Sequence, residues 1–252
     1  LVATIPGMSR STVPSVLLIA LICVASGCAT IPTARPLEPG QHEVGVSLGG
    51  PVLNLGGGVV IPVPNIVLQG RHGLAAPLNR PLDLTYGLNV IAMPFGILQG
   101  HVGVSWLLIH QAGPAPALSI SDKQYFATNA IGLGNKPHAE VEGWGVNHLE
   151  LDFSWKVKRQ IIYAGISQYF DFGNPKLTLT PSIGVVLDTS PKTDGGLMFH
   201  FDFRWYALSQ TDRYDAVKWF PRRQGAFGFG GGMSFVFPGG PKPQVVASED
   251  PS

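Results

Sequence analysis

The chain has 252 residues, with 17 Lys and Arg against 16 Asp and Glu, only 13% charged residues, 32 Gly and 22 Pro. A charge balance this close to neutral excludes nucleic acid as a partner recognised by electrostatics, and the scarcity of helix formers points to many strands separated by turns. The two cysteines, Cys23 and Cys28, lack Cys-x-x-Cys spacing, so no disulfide framework, cysteine metal site or other cofactor is expected.

Nothing charged precedes Arg10, and Met8-Ser9-Arg10 reads as a translation start with a short basic stretch. Residues 16–25 are apolar, and the small residues Ser26 and Gly27 stand directly before Cys28. These are the parts of a secretory signal over residues 1–27, and the apolar run falls well short of the ~20 residues a membrane-spanning helix needs. Val24-Ala25-Ser26-Gly27-Cys28 resembles the lipobox of bacterial lipoproteins, with Ala25 where that family usually has Leu. The resemblance implies a diacylated Cys28 as the first mature residue. With Ala29 rather than Asp next, it also implies sorting to the outer membrane of a Gram-negative bacterium. Cleavage nearby by an ordinary signal peptidase is the alternative. Removing residues 1–27 takes away Arg10, Cys23 and no acid, leaving 16 basic against 16 acidic residues and no thiol once Cys28 carries lipid.

Residues 28–40 hold three prolines and no periodic pattern, and read as a lipidated N-terminus with a Pro-rich tether. One undivided region follows over 41–237, and residues 238–252 read as a disordered tail. Within the region, apolar and polar residues alternate with period two, placing successive side chains on opposite faces of a strand. In chain order the candidate strands are 43–49, 66–73, 82–90, 98–108, 117–127, 148–157, 161–170, 177–188, 197–208 and 226–237. The pattern is clearest at the end. Phe227, Phe229, Met233, Phe235 and Phe237 oppose Ala226, Gly228, Gly230, Gly232 and Ser234, and Leu197, Phe199, Phe201, Phe203 and Trp205 oppose His200, Asp202 and Arg204. Turn signals at 132–135, 173–175 and 190–195 sit between strands.

A soluble sandwich also alternates, with its apolar face inward. Here nearly every apolar face carries large aromatics, while the opposite faces mix Gly, Ser and Thr with both signs of charge. A membrane barrel has this arrangement inverted, apolar toward lipid and polar toward a lumen. Trp106, Trp155, Trp205, Tyr206 and Phe237 would suit interfacial girdles. In hydrocarbon, each unpaired edge group costs roughly 2–7 kcal/mol, so the strands must close into a ring. The expected fold is all-β, a single antiparallel up-and-down transmembrane barrel of about ten strands. The region resembles the outer-membrane β-barrel proteins of Gram-negative bacteria in its alternation, in Arg71-His72-Gly73-Leu74 leading into Leu82-Asp83-Leu84, and in a last strand ending on Phe237. Many such proteins end the chain on that Phe; here fifteen residues follow it.

The parity of the pattern places Glu43, Asp83, His101, His148, Glu150, Asp152, Lys156, His200, Asp202 and Arg204 on one nominal face. Inside a narrow barrel they form a structural polar network. Three functions remain open at this point. The first is a lipid-anchored outer-membrane barrel with a structural, interaction or small-pore role, whose partners are membrane lipid and its own acyl chains. The second is a membrane-embedded lipid hydrolase or acyltransferase, pairing His148 with Glu150 or His200 with Asp202 and drawing on Ser105, Ser154, Ser167 or Ser182. No Gly-x-Ser-x-Gly elbow supports it. The third is a soluble, lipid-tethered barrel that binds a hydrophobic ligand with its Phe face inward. No His-Glu-x-x-His motif or phosphate loop is present.

Overall fold

The computed structural model describes residues 34–56, 59–62, 65–75, 80–129, 143–171, 178–189, 195–208 and 225–239. Cys28 and the rest of the signal segment, most of the tail, and the three turn motifs apart from Gly195 lie outside them. Every candidate strand becomes a strand: β1 (His42–Gly56), β3 (Asn65–Leu74), β4 (Leu82–Asn89), β5 (Ile97–Ile109), β6 (Ala117–Asn129), β7 (Gly143–Val157), β8 (Gln160–Asp171), β9 (Leu179–Asp188), β10 (Gly196–Tyr206) and β11 (Ala226–Phe237). A short β2 (Val59–Pro62) is an addition that the alternation did not mark.

From β3 onward each strand pairs antiparallel with the next, β3 pairs with β1, and β11 returns to β1 in an unbroken register from His42↔Phe237 to Pro51↔Gly228. Ten strands thus form a closed up-and-down barrel with no open edge. The far part of β1 runs on past its pairing with β11 and β3 and forms a hairpin with β2, from Val52↔Pro62 to Gly56↔Val59. Because the strand number is even, the start of β1 and the end of β11 lie at the same end of the barrel. The hairpin projects from the opposite end.

The burial of side chains is the reverse of a soluble core. Ile183 and Phe229 are each 56% exposed and Phe201 is 50% exposed, whereas Asp83, Lys123 and His148 are fully buried. On β11 the apolar residues face out and Ala226, Gly228, Ser234 and Val236 face in. This orientation excludes a ligand-binding barrel lined by the Phe face. Trp106 and Trp155 lie on the outer wall toward the end bearing the termini, and Trp205 and Phe227 toward the other, their rings 4.6 Å apart by centroid for the latter pair. Tyr206 departs from the expected girdle. It shares the parity of Arg204 and turns inward, against the bare backbone of Gly228.

Candidate functional site: the barrel lumen

A ten-stranded ring leaves little interior width, and the chain fits large charged groups there by leaving neighbouring positions bare. Lys123 lies across from Gly103, His101 from Gly87, Asp152 from Gly165, and Arg204 from Gly228. Asp202 has a glycine on both sides, Gly184 on β9 and Gly230 on β11. A Cβ at Gly230 would collide with the Asp202 carboxylate, and one at Gly184 with the Tyr163 hydroxyl. The glycines opposite Phe in β11 are therefore the space into which β10 extends its charges.

Nine of the ten residues assigned to the lumen from the sequence are there. Lys156 is not: at the end of β7 it is exposed at the rim, its backbone N–H donating to Gln111 Oε1 at 2.7 Å. Arg71 is the centre of one cluster. It donates through Nη1 to Glu43 Oε2 at 2.7 Å, and through Nη2 to Asp83 and to the Arg35 carbonyl. The strand order explains this, since β3 lies between β1 and β4 and brings Arg71 directly opposite Glu43. A second cluster crosses the lumen. Glu150 on β7 lies 3.5 Å from Lys123 on β6 and 3.6 Å from Arg204 on β10, and Arg204 also pairs with Asp202. A contact between strands three places apart in the ring means that side chains fill the middle of the barrel.

Rings form a third group. His101, Tyr125, His148 and Tyr169 come from four successive strands, with centroids 5.2, 5.8 and 4.3 Å apart along the series. Neither ring nitrogen of His148 has a hydrogen-bond partner among the described residues, so Glu150 does not orient that imidazole.

His200 comes nearer to catalytic geometry, though with a serine the sequence did not single out. Its Nε2 is 2.8 Å from Ser234 Oγ, and Glu43 Oε1 is 3.6 Å from the same nitrogen. A general base needs its carboxylate on the other nitrogen, to hold the tautomer while Nε2 takes the hydroxyl proton. Here Nδ1 is buried without a hydrogen-bond partner, and Ser234 is 2% exposed. The arrangement is a hydrogen-bonded packing contact with no approach for substrate. The other serines are likewise engaged or enclosed: Ser154 accepts from Arg35, Ser167 donates to the Thr180 carbonyl, and Ser105 and Ser182 are buried. Among the described residues no group of three or more His, Cys, Asp or Glu is placed to hold a metal ion.

The mouth at the terminal end is occupied by the chain itself. Residues 34–37, the second half of the expected tether, enter the lumen before β1 begins. Ala34 is buried with Tyr163 and Val186, and its carbonyl accepts from Ser119 Oγ at 2.8 Å. Arg35 donates through Nε to Ser154 Oγ at 3.0 Å and through Nη2 to Gln111, while the Leu37 N–H donates to Asp83 Oδ2 at 3.0 Å. With the Arg71 contact to the Arg35 carbonyl, residues 34–37 reach β3, β4, β6, β7, β8 and β9, six of the ten strands. Proline-rich composition indicated an extended segment, but nothing local in it indicated a docking place, which the charged lumen supplies.

The sequence matches no protein-family model and no curated protein. Among solved structures, the chain is similar to the translocator domain of autotransporter NalP from Neisseria meningitidis, with 10% identity, a TM-score of 0.39, and coverage of 90% of this chain and 95% of that one. It is also similar to the NanC porin, with 6% identity, a TM-score of 0.39, and 78% and 98% coverage. A third is Ail, the attachment invasion locus protein of Yersinia pestis, with 8% identity, a TM-score of 0.26, and 79% and 99% coverage. The closed register of the chain's own strands, and not these likenesses, carries the description of the fold.

Proposed function

We propose that the chain is an outer-membrane β-barrel, lipid-anchored through Cys28, with a closed lumen and a structural or interaction role, without catalysis. The observation that carries this reading is the inverted wall. Large apolar side chains such as Val44, Leu68, Phe201, Phe229 and Phe235 lie exposed around the outside, over a lumen of buried charge. In water such a surface would far exceed the few hundred Å² of contiguous apolar patch that a monomer tolerates; in hydrocarbon it is the favourable state. The closed interior supports a non-conducting role over a small pore, because Arg204 and Glu150 meet across the middle and residues 34–37 fill one mouth.

The anchor fits the same geometry. Ala34, which is buried, stands six positions after Cys28, a reach of at most about 22 Å when extended. A lipid on Cys28 would therefore sit in the leaflet nearest the terminal end of the barrel. Two measurements test the reading. Cys28→Ala should lose incorporation of labelled fatty acid yet remain with membranes after carbonate washing, with heat-modifiable gel mobility. Extraction of that variant by carbonate would end the spanning reading. In planar bilayers the purified protein should show no steady conductance, and stable open channels would end the closed one.

A further inference from the structure

On β6 the lipid-side series is broken. Leu118 and Ile120 face out at one end and Phe126, 40% exposed, at the other, yet Asp122 and Gln124 occupy the two outward positions between them, and both are exposed. Their outward orientation follows from Ser121 and Lys123, which are buried on the lumen side. Asn147 on β7 is directly opposite Gln124 and donates to the Asp122 carboxylate. The patch stops at β8, where Gln168 turns to Thr178, accepting from its N–H at 3.0 Å. Around it lie Val102 and Val104 on β5 and Leu149 on β7, all at least 38% exposed.

A carboxylate and two amides in the middle of an apolar wall are unfavourable against acyl chains, and an ionisable group within a membrane span is ordinarily turned toward protein or water. The patch carries acceptors on Asp122 and donors on Gln124 and Asn147, so it is complementary to itself. Among the described outward residues of β5 to β8 there is no Lys or Arg, and the exposed Lys156, Lys158 and Arg159 lie at the rim around the far end of β7, so no cation adjoins the patch to hold an anionic lipid headgroup there. We infer that the outer face of β6 and β7 is the interface with a second copy of this chain. A two-fold axis through the patch sets each Asp122 against the other copy's Gln124 amide, as an isologous contact requires, and polar side-chain contacts of this kind contribute to association between helices in bilayers.

This rests on the membrane-spanning reading, and heat-modifiable mobility separates failure of the two. The experiment is thiol cross-linking in native membranes in a Cys28→Ala background, with Leu149→Cys, beside Asp122 on the outer face of β7, compared against Ile183→Cys on the outer face of β9. Leu149→Cys leaves Asp122, Gln124 and Asn147 in place and should give a covalent homodimer, Ile183→Cys none, and adding Asp122→Leu should reduce the Leu149→Cys dimer at least fivefold while the barrel stays heat-modifiable. Equal cross-linking from both positions, no dimer from Leu149→Cys in a heat-modifiable barrel, an undiminished dimer with Asp122→Leu, or capture of a different protein would each overturn the inference.

Discussion

β11 and β6 are both walls of the same ring, but they treat the two sides of that wall differently. On β11 the outside is Phe and Met and the inside nearly bare, with Ala226, three glycines, Ser234 and Val236. On β6 the inside is full, with Ser119, Ser121, Lys123 and Tyr125, and the outside is interrupted by Asp122 and Gln124. The difference shows that a strand's inner face is composed against its neighbours. β11 is empty because β10 carries His200, Asp202 and Arg204 across from it, while β6 carries the cation that Glu150 on β7 requires. The outer face answers separately, on our reading to lipid on β11 and to protein on β6.

Four substitutions break or sharpen that contrast, each read as the urea midpoint of the heat-modifiable form in detergent. Lys123→Met removes a buried partner of Glu150 and should cost about 3–5 kcal/mol; a midpoint near wild type would mean that Arg204 alone neutralises Glu150. Phe229→Lys places a cation on the lipid side of β11 and should cost about 2–4 kcal/mol with reduced insertion. Full insertion at wild-type yield would contradict the outward face. Gly230→Ala forces a methyl onto the Asp202 carboxylate and should cost about 1–3 kcal/mol, a loss that Asp202→Ala in the same chain should partly relieve if crowding is the cause. Lys156→Ala, at the exposed rim, should shift stability by no more than about 0.5 kcal/mol. A loss of 3 kcal/mol there would return Lys156 to the lumen.

The two strands also differ in how readable they were. β11 shows Phe or Met at all but one of its alternate positions with little between, so its faces are plain in the chain itself. On β6, Asp122 and Gln124 blur the apolar side, and Lys123 was accordingly missed although it has the same parity as Ser119, Ser121 and Tyr125. Arg71 was visible only as part of a resemblance. Its role depends on β3 lying between β1 and β4, which brings together Glu43 and Asp83 from either side. The catalytic pairings considered from two-residue spacing, His148 with Glu150 and His200 with Asp202, did not form. Asp202 is taken instead by Arg204, two residues on along the same face, and the contacts of His200 run across strands, to Ser234 and Glu43.

Period-two alternation is a property of each strand alone, so the linear chain determined the strand positions, their number in the ring and which side of each was apolar. The inter-strand register, the pairing of charges from distant strands, the docking of residues 34–37 and the retreat of Lys156 to the rim were decided only in three dimensions. The last three depend on that register and on the width of the lumen, and neither quantity is written in any one segment.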